Sequence, residues 1–440
     1  MRIFSRKNRP MHLGKYPMEK IKRVATPTTL ITDHVQRVPK RAGFFMRAFH
    51  GDLGERAARE IRRFITKSPL NAAIGHVHWK QVPVHRGAPA EDKAPLPDDP
   101  EAMARHLKAL CYFLDADLVG ICAVPDYAWY SHDKDGAAIE TRHKYAIVIM
   151  VDQGWDTMEG ASGDDWISGV QSYRAYLNSS TAATITADYI RRLGHPAQAH
   201  SNADGDVLMI PLMLLAGLGE MSRIGELVLN PFIGPRHKVA VVTTDLPLAV
   251  DQPIDFGLQD FCAKCRKCAR ECPVQAIPHG DKVLYNGYEI WKPDVEKCAK
   301  YRVSNPRGSA CGRCMKMCPW NKEGLLQYRL AMWAAIKLPF TRRLLIWLDD
   351  ALGFGKRNPA KKWWLDLETV DGKVVLAEGA NARDLTLDRK APGARPLAVY
   401  PPERLPTADQ KGPVPVDRRQ ALRDGEEAAR RLRDRKAASV

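Results

Sequence analysis

The chain has 440 residues, of which 45% are hydrophobic and 27% charged, the composition of an ordinary soluble globular protein with room for two or three domains. Its formal net charge is +16. Much of the basic excess lies in the two terminal segments, so solubilising tails explain it better than a groove for nucleic acid. No secretory signal and no apolar run of ~20 residues is visible, which predicts a cytoplasmic protein without a transmembrane segment.

Residues 1–100 are interpreted as an N-terminal extension that ends in a proline-rich linker, and residues 101–255 as the first folded domain. Helical periodicity and short β-rich runs alternate in this domain. The expected helices cover 101–116, 166–194 and 210–223, and the expected strands cover 117–125, 144–152, 195–201 and 237–248. Alternation of this kind predicts an α/β or α+β sandwich.

Behind the cysteine-rich region the chain becomes aromatic at 323–378 and polar at 379–440. The aromatic segment is expected to pack on the core, although Trp333 and Trp347, which have arginines nearby, could also lie on a membrane surface. The polar segment has too little apolar surface to offset the entropy of ordering it. We therefore interpret it as a largely disordered tail, in which a charged helix at 417–436 could form.

Eight of the ten cysteines lie at 256–322 and follow the spacing of a bacterial ferredoxin. The first four form C-x2-C-x2-C-x3-C-P, and the last three form C-x2-C-x3-C-P behind a displaced ligand at Cys298. In such motifs the cysteine after the x3 spacer reaches the neighbouring cluster. The predicted [4Fe–4S] ligand sets are Cys262, Cys265, Cys268 with Cys318, and Cys272, Cys298, Cys311 with Cys314. A zinc ribbon would not produce this spacing twice. Cys111 and Cys122 are interpreted as small buried hydrophobic residues.

Several motifs outside the cysteine module carry a resemblance to a known family. They are FFMRAFHGDLGERAARE, DYIRRLGHPAQAH and AGLGEMSRIGELVLNPFIGPRHKVAVVTTDLPL. Together with the cysteine motifs they closely resemble the corrinoid-dependent reductive dehalogenases over most of the chain, from about Phe44 to Glu368. The chain looks in particular like the cytosolic, respiration-independent type, which has no twin-arginine signal.

The resemblance implies an α+β fold with a nitroreductase-like α/β core that binds base-off cobalamin. A bacterial-ferredoxin-like module with two [4Fe–4S] clusters is inserted into it. The absence of a D-x-H-x-x-G motif, which would supply a histidine ligand to cobalt, agrees with the base-off form. The implied substrate is a small organohalide, with haloaromatic compounds as the favoured class.

The resemblance also bears on partners. Longer members of the family carry a fused flavin and ferredoxin reductase module, whereas this chain continues into a polar tail. An external electron donor is therefore implied, such as a ferredoxin or flavodoxin with its reductase. No nucleic-acid partner is expected, and the sequence makes no prediction about the oligomeric state.

Reductive removal of halide needs a proton donor, which in this family is a tyrosine assisted by a basic residue. The matching residues are Tyr176 as the acid and Lys238 as the cation that would stabilise its phenolate, and Arg236 is the alternative cation. Tyr173 and Tyr189 remain alternative acids because they lie in the same predicted helix.

Asn202 and the segment AGLGEMSR are implied to contact the cofactor. Glycine lets a backbone approach a large ligand closely. The residues concerned are Gly217, Gly219, Glu220 and Arg223. The alternative is tight helix packing, with Glu220 and Arg223 as a simple pair on one helix face and Asn202 as a turn residue. Three histidines without accompanying carboxylates are interpreted as ordinary strand residues: His76, His78 and His85.

Two other functions compete with dehalogenation. An epoxyqueuosine reductase acting on tRNA would share the cluster spacing and the TDLPL-type strand, and it would suit the positive charge. However, that family uses an aspartate acid and often carries C-terminal helical repeats, neither of which is recognisable here. A non-enzymatic ferredoxin-like electron carrier would leave about 250 patterned upstream residues without a role.

Overall fold

A four-stranded antiparallel sheet lies at the centre of the fold in the computed structural model, which describes residues 9–32, 34–323, 326–386 and 397–438. The strands are β1 (Lys22–Arg23), β2 (Leu118–Ala123), β3 (Tyr145–Asp152), β4 (Ala197–His200), β5 (Glu220–Met221), β6 (Val228–Leu229), β7 (His237–Thr244), β8 (Ile254–Asp255), β9 (Val283–Tyr285), β10 (Tyr288–Ile290), β11 (Leu367–Val370) and β12 (Lys373–Leu376). The central sheet has the order β2–β3–β7–β4, and each neighbouring pair is antiparallel.

Helices cover both faces of this sheet and build the regions on either side of it. They are α1 (Phe44–Phe49), α2 (Glu55–Arg62), α3 (Pro69–Trp79), α4 (Pro100–Phe113), α5 (Trp155–Gly160), α6 (Ile167–Arg192), α7 (Met209–Leu215), α8 (Leu258–Lys264), α9 (Lys267–Arg270), α10 (Val295–Ser304), α11 (Arg313–Lys316), α12 (Leu326–Lys337), α13 (Arg342–Ala351) and α14 (Arg418–Ala438). None of the described helices combines the length and the apolar character that crossing a bilayer requires.

The sheet is buried on both faces, which β3 illustrates. Ile147 and Ile149 point into a core shared with α4 and α6, whereas Val148 and Met150 point into a second core shared with α7. Because successive side chains of a strand point to opposite faces, a strand covered on both sides is hydrophobic throughout. Burial of each such side chain stabilises the fold by roughly 1.5–3 kcal/mol.

α6 packs along β7 and thereby places one end of the helix beside the start of the strand. Ala182, Ala183 and Ala187 of α6 share a core with Ala240 and Val242 of β7. Small side chains on both elements allow the helix and the sheet to approach closely. Lys238 belongs to the same strand face as Ala240, because alternate residues share a face.

Most of the predicted elements of the first domain are confirmed. The predicted helices 101–116 and 166–194 correspond to α4 and α6, and the four predicted strands correspond to β2, β3, β4 and β7. The predicted helix 210–223 is too long, because α7 ends at Leu215 and the chain forms the short strand β5 from Glu220. Gly217 lies just beyond this helix with φ of 64°, a backbone conformation that favours glycine and ends helices.

The region before residue 100 is more structured than a simple extension. Its described residues include three α-helices, of which α3 packs on α6, and α1 and α2 pack on α10. His76 and His78 therefore lie on helix α3, and their prediction as strand residues is wrong. The helix begins at Pro69, a position where proline is favoured because its ring suits the first helical turn.

The prediction of a largely disordered tail is wrong for residues 397–438, whereas residues 387–396 and 439–440 lie outside the described part of the chain. Ala398 and Tyr400 are buried, and the predicted charged helix is confirmed as α14. Arg418 at the start of α14 forms ion pairs of 2.6 Å with Asp294 and 2.7 Å with Glu296. Composition could not reveal these contacts, because their buried carboxylates lie more than a hundred residues away in the sequence.

Candidate active site

The α6–β7 contact brings together two of the predicted site residues, Tyr176 and Lys238. The Nζ atom of Lys238 lies 4.9 Å from the centroid of the Tyr176 ring. Both side chains are partly exposed, so a ligand can reach them. A cation in this position is attracted by the ring and would stabilise negative charge on the phenol oxygen.

His78 of α3 flanks the same tyrosine. The two ring centroids lie 6.5 Å apart with an angle of 15° between the ring planes. His78 is fully buried, and neither ring nitrogen has a hydrogen-bond partner among the residues that the structure describes. Burial lowers the pKa of His78 to about 4, so the ring is neutral at pH 7. Sequence reasoning missed this residue because α3 and α6 meet only in the folded chain.

Tyr173 and Tyr189, the alternative acids, lie in different surroundings. Tyr173 lies edge-on to Tyr176, with ring centroids 6.0 Å apart, and it is buried. Burial raises the pKa of Tyr173 well above the usual value, which makes it a poor proton donor. The side chain of exposed Asn202 lies close enough to lower the pKa of Tyr173, although burial outweighs this effect. Tyr189 lies at the far end of α6, where its hydroxyl is 3.0 Å from Nε2 of His106.

Arg236, the alternative cation, is held away from this group of rings. It is fully buried and forms two hydrogen bonds of 2.7 Å to the carboxylate of Asp152. It also donates to Asn321 at 2.9 Å, and its guanidinium lies over the ring of Trp155. Because its donors are used in this way, Arg236 joins the end of β3 to the cysteine module. The structure thus brings Lys238, and not Arg236, to Tyr176.

Glu220 and Arg223 support the first cysteine loop and the start of the helix before it through hydrogen bonds to the backbone. Glu220 accepts hydrogen bonds from the backbone N–H groups of Phe256 at 2.7 Å and Leu258 at 3.2 Å. Arg223 donates to the carbonyl oxygens of Cys262 at 2.8 Å and Pro278 at 2.9 Å. Both side chains are buried, and they do not form the ion pair with each other that was the simple alternative.

The two glycines of this segment lie against the chain's own backbone. A Cβ atom on Gly217 would meet the carbonyl of Gln252 at 2.1 Å, and one on Gly219 would meet that of Leu229 at 2.3 Å. The absence of side chains is therefore explained by close packing within the protein. Contact of this segment with a corrin stays a prediction.

The cysteines of the first predicted set lie around one small cavity. It is lined by all four members of the set, together with Arg223 and Trp320. Burial raises the pKa of Cys262 to about 12 and that of Cys265 to about 11. Since iron binds the thiolate, assembly of a cluster here would release protons, and the fold without metal keeps these thiols neutral.

The cysteines of the second predicted set also influence one another. Cys298 and Cys272 both raise the pKa of Cys314, and Cys314 and Cys298 raise that of Cys311, with burial as the larger cause in each case. Four partly buried thiols, with spacing typical of a ferredoxin, form a donor set that suits an iron–sulfur cubane.

The second set lies on the side of the tyrosines. Arg302 of α10 is close enough to lower the pKa of both Cys298 and Tyr173, although burial outweighs its effect on each. The first set lies next to a cavity of about 800 Å³ between α12, α13 and the segments that contain Tyr16 and Phe232. Phe261 and Trp320 line both this cavity and the first cysteine cavity.

Comparisons with known proteins agree with this arrangement. Residues 261–322 match the family described as 4Fe-4S dicluster domain. A tetrachloroethene reductive dehalogenase of Desulfitobacterium hafniense is 34% identical over 231 residues, which cover 50% of this chain and 40% of that protein. The corresponding enzyme of Sulfurospirillum multivorans is 35% identical over 194 residues, which cover 42% of this chain and 36% of that protein.

Solved structures extend the similarity over nearly the whole chain. The catabolic reductive dehalogenase NpRdhA is 50% identical with a TM-score of 0.95, and the match covers 98% of this chain and 64% of that one. A further solved structure of a reductive dehalogenase, described as suggesting a mechanism for B12-dependent dehalogenation, has a TM-score of 0.94 and 50% identity, with 98% and 64% coverage. The chain spans about 40% of the length of the first curated relative and about two thirds of these solved ones.

The mixed fold and the ferredoxin-type cysteine module define a double-cluster iron–sulfur protein. The motifs of the sequence, the fold of the whole chain and the similarity to solved members then identify it further. The chain belongs to the corrinoid-dependent reductive dehalogenase family.

Proposed function

We propose that this protein catalyses the reductive dehalogenation of a small organohalide, with Tyr176 as the proton donor. In this reaction a carbon–halogen bond, two electrons and one proton give a carbon–hydrogen bond and a halide ion. The observation that carries the assignment is the Lys238 ammonium over the Tyr176 ring, 4.9 Å from its centroid. Tyr176 gives up the proton of its phenol oxygen, and Lys238 stabilises the phenolate that remains.

His78 has a supporting role in this proposal. Its neutral ring lies nearly parallel to the Tyr176 ring and restricts its movement. Buried polar atoms are normally hydrogen-bonded, so the unpartnered nitrogens of His78 suit a polar group bound beside Tyr176. The residues present therefore fit a cofactor that carries amide side chains, such as cobalamin.

A nitroreductase-like core that holds base-off cobalamin is the form of cofactor binding that we propose. When bound, cobalamin supplies a strongly reducing cobalt centre that can react with a halogenated carbon. Asn202 near Tyr173 is the proposed direct contact. The 217–223 segment would contribute through its position, because the side chains of Glu220 and Arg223 bind backbone groups of the chain itself. The chain's own contribution is to place the tyrosine, its cation and the neutral histidine at one position.

The two cysteine sets form the proposed electron wire. We assign one [4Fe–4S] cluster to the set that lines the first cavity and one to the set near Arg302. Electrons from an external donor would enter at the first set and leave from the second, because the second set lies on the side of the tyrosines. The external donor belongs to the ferredoxin or flavodoxin class.

A haloaromatic compound with a phenol group is the proposed substrate class. NpRdhA has been solved in complex with 3-bromo-4-hydroxybenzoic acid, and that chain is 50% identical to this one. A phenolate substrate would also suit a site that contains the cation of Lys238.

Anaerobic turnover tests the proposal. The protein, reconstituted with iron, sulfide and cobalamin, is given a panel of ortho-halogenated phenols and hydroxybenzoates with reduced methyl viologen, and halide release is measured. We expect release that requires cobalamin and is absent in a sample reconstituted with clusters alone. A fully loaded protein that releases no halide from any member of the panel would contradict the proposal.

The tRNA hypothesis has weaker support. The epoxyqueuosine reductase of Escherichia coli is 27% identical over 159 residues, which cover 31% of this chain. The acid that we propose is a tyrosine with a lysine over its ring, not the aspartate expected of that family. Binding of an epoxyqueuosine-containing tRNA stem-loop by the loaded protein, without halide release from the panel, would reverse this preference.

A further inference from the structure

A group of exposed apolar side chains lies on α12, α13 and the turn between them. Phe340 is 81% exposed, and Trp333 and Trp347 are each 54% exposed. The surface, here called the α12–α13 face, also includes Leu330, Leu344 and Leu352. Soluble monomers seldom expose aromatic side chains at this density, and such patches mark interaction sites.

The inner side of α13 is bound firmly to the first cysteine loop. Lys267, which lies between Cys265 and Cys268, forms an ion pair with Asp349. Arg270 forms two hydrogen bonds to Asp350, of 3.0 Å and 2.8 Å. These contacts are mostly buried, so α13 is held in place and its outward residues are presented by a rigid support.

The cavity of about 800 Å³ lies beneath this face and leads towards the same cysteines. Its walls include Met332 and Leu345 from the two helices and Phe261 and Trp320 from the cysteine module. Trp320 packs edge-on against Phe261, with ring centroids 5.4 Å apart, and it is two residues from Cys318. The α12–α13 face is thus linked to the first cysteine set through the ion pairs of α13 and through the aromatic pair Phe261 and Trp320.

The charge at the edge of the face is positive. Lys337 and Arg343 are exposed, and neither forms an ion pair with a residue of the described chain. The acidic residues of α13, Asp349 and Asp350, point inward and are neutralised by the lysine and arginine of the cysteine loop. An outward surface of tryptophan, phenylalanine, leucine and unpaired cations complements an acidic protein.

We propose that the α12–α13 face is the docking site of an acidic electron-carrier protein that reduces the first cluster. This inference rests on the proposed assignment of that cluster. In each docking event the carrier is oxidised by one electron and the cluster is reduced by one, and no covalent bond changes. A membrane surface is the competing occupant, but a position directly over the first cysteine set favours a redox partner.

The test compares charge reversals at two places in the full-length, cluster-loaded protein. The first variant is Lys337→Glu with Arg343→Glu on the face. The matched control is Arg142→Glu with Lys144→Glu, two exposed residues before β3 at the opposite end of the central sheet from Lys238. Both variants change the net charge equally, so only the position of the charge differs.

The measurement is the rate at which a reduced, acidic [2Fe–2S] ferredoxin bleaches the cluster absorption near 400 nm in anaerobic stopped flow. We expect the face variant to be slower by about 10-fold or more at low salt, and the control to stay within about 2-fold of the parent. High salt should remove most of the difference, since it screens exposed charges. Trp347→Ala should slow the reaction at every salt concentration, because it removes an apolar contact.

Three outcomes would overturn the inference: equal slowing in both charge variants, no slowing in the face variant, or salt-dependent binding to anionic vesicles that the face variant alone loses while ferredoxin still reduces it normally. Reduction by dithionite must be equal in all variants, which shows that the clusters are intact. The assay contains no organohalide, so its result is independent of whether halide is released in the turnover experiment.

Discussion

The surroundings of Tyr176 and of Arg223 contrast in how their polar atoms are used. Near Tyr176, the ring of His78 and the ammonium of Lys238 lie against the tyrosine ring. The two nitrogens of His78 have no hydrogen-bond partner among the described residues. Near Arg223, the guanidinium donates hydrogen bonds to backbone carbonyl oxygens, and the neighbouring Glu220 accepts hydrogen bonds from backbone N–H groups.

This contrast separates a candidate site from a scaffold. Buried polar groups cost free energy when they lack partners, so a fold retains them where a ligand supplies the partner. Residues whose donors are all used by the chain contribute stability instead. Changes near Tyr176 should therefore lower activity at nearly constant stability, and changes near Arg223 should do the reverse.

The largest effect on turnover is expected from Tyr176→Phe. Loss of the proton donor should reduce halide release by roughly 10²–10⁴-fold, which corresponds to about 3–5 kcal/mol of barrier. Tyr173→Phe, three residues away on the same helix, is the matched control and should change the rate by much less. A Tyr176→Phe variant with the parent rate would remove this residue from the mechanism.

The next effect, on stability, is expected from Arg223→Met. It leaves the carbonyls of Cys262 and Pro278 without their donor and should lower the free energy of unfolding by roughly 3 kcal/mol. Iron content after reconstitution should fall as well, because the first cysteine loop loses its support. Urea unfolding and iron analysis provide the measurements, and exposed Arg266→Met is the control. A variant with full stability and iron but no turnover would instead favour a role for Arg223 in cofactor binding.

A smaller effect is expected from Lys238→Met. Loss of the cation over the Tyr176 ring should lower the rate of halide release by about 10–100-fold, with little change in urea stability because Lys238 is partly exposed. Lys238→Arg should recover part of the rate, since it restores the charge. If the methionine variant unfolds at lower urea and keeps the parent rate, Lys238 is a structural residue.

The smallest effect concerns pH. Burial lowers the pKa of His78 to about 4, below the value near 6.5 that it has in an unfolded chain. The unfolded chain therefore binds more protons between these values, and the free energy of unfolding falls as the pH is lowered from about 6.5 towards 4. His78→Gln should reduce this slope, by about 1–2 kcal/mol between pH 7 and pH 5. Urea titrations at the two pH values measure it, and an unchanged slope would mean that His78 is protonated in the fold.

The local parts of the fold could be predicted from sequence patterns. Hydrophobic runs predicted β3 and β7, and the long helical pattern from Trp166 to Gly194 predicted α6. The predictions that were wrong share one cause, because the structure of each of these segments depends on contacts with residues that are distant in the sequence. The segment containing His78 resembled a strand but forms helix α3, and the tail containing Tyr400 looked too polar to fold but packs against α10 through ion pairs.

By itself, the sequence determined the class of chemistry that we propose for this chain. The cysteine spacing specifies iron–sulfur ligands, because short turns present thiolates in a set order, and the family motifs specify the class. Only the tertiary structure decided which residues meet. It placed Lys238 over Tyr176 and Arg236 against Asp152. The two side chains separate because Lys238 lies within β7, whereas Arg236 lies before the first residue of that strand. It also brought His78 to the tyrosine, since helix packing depends on surfaces that are separated along the chain.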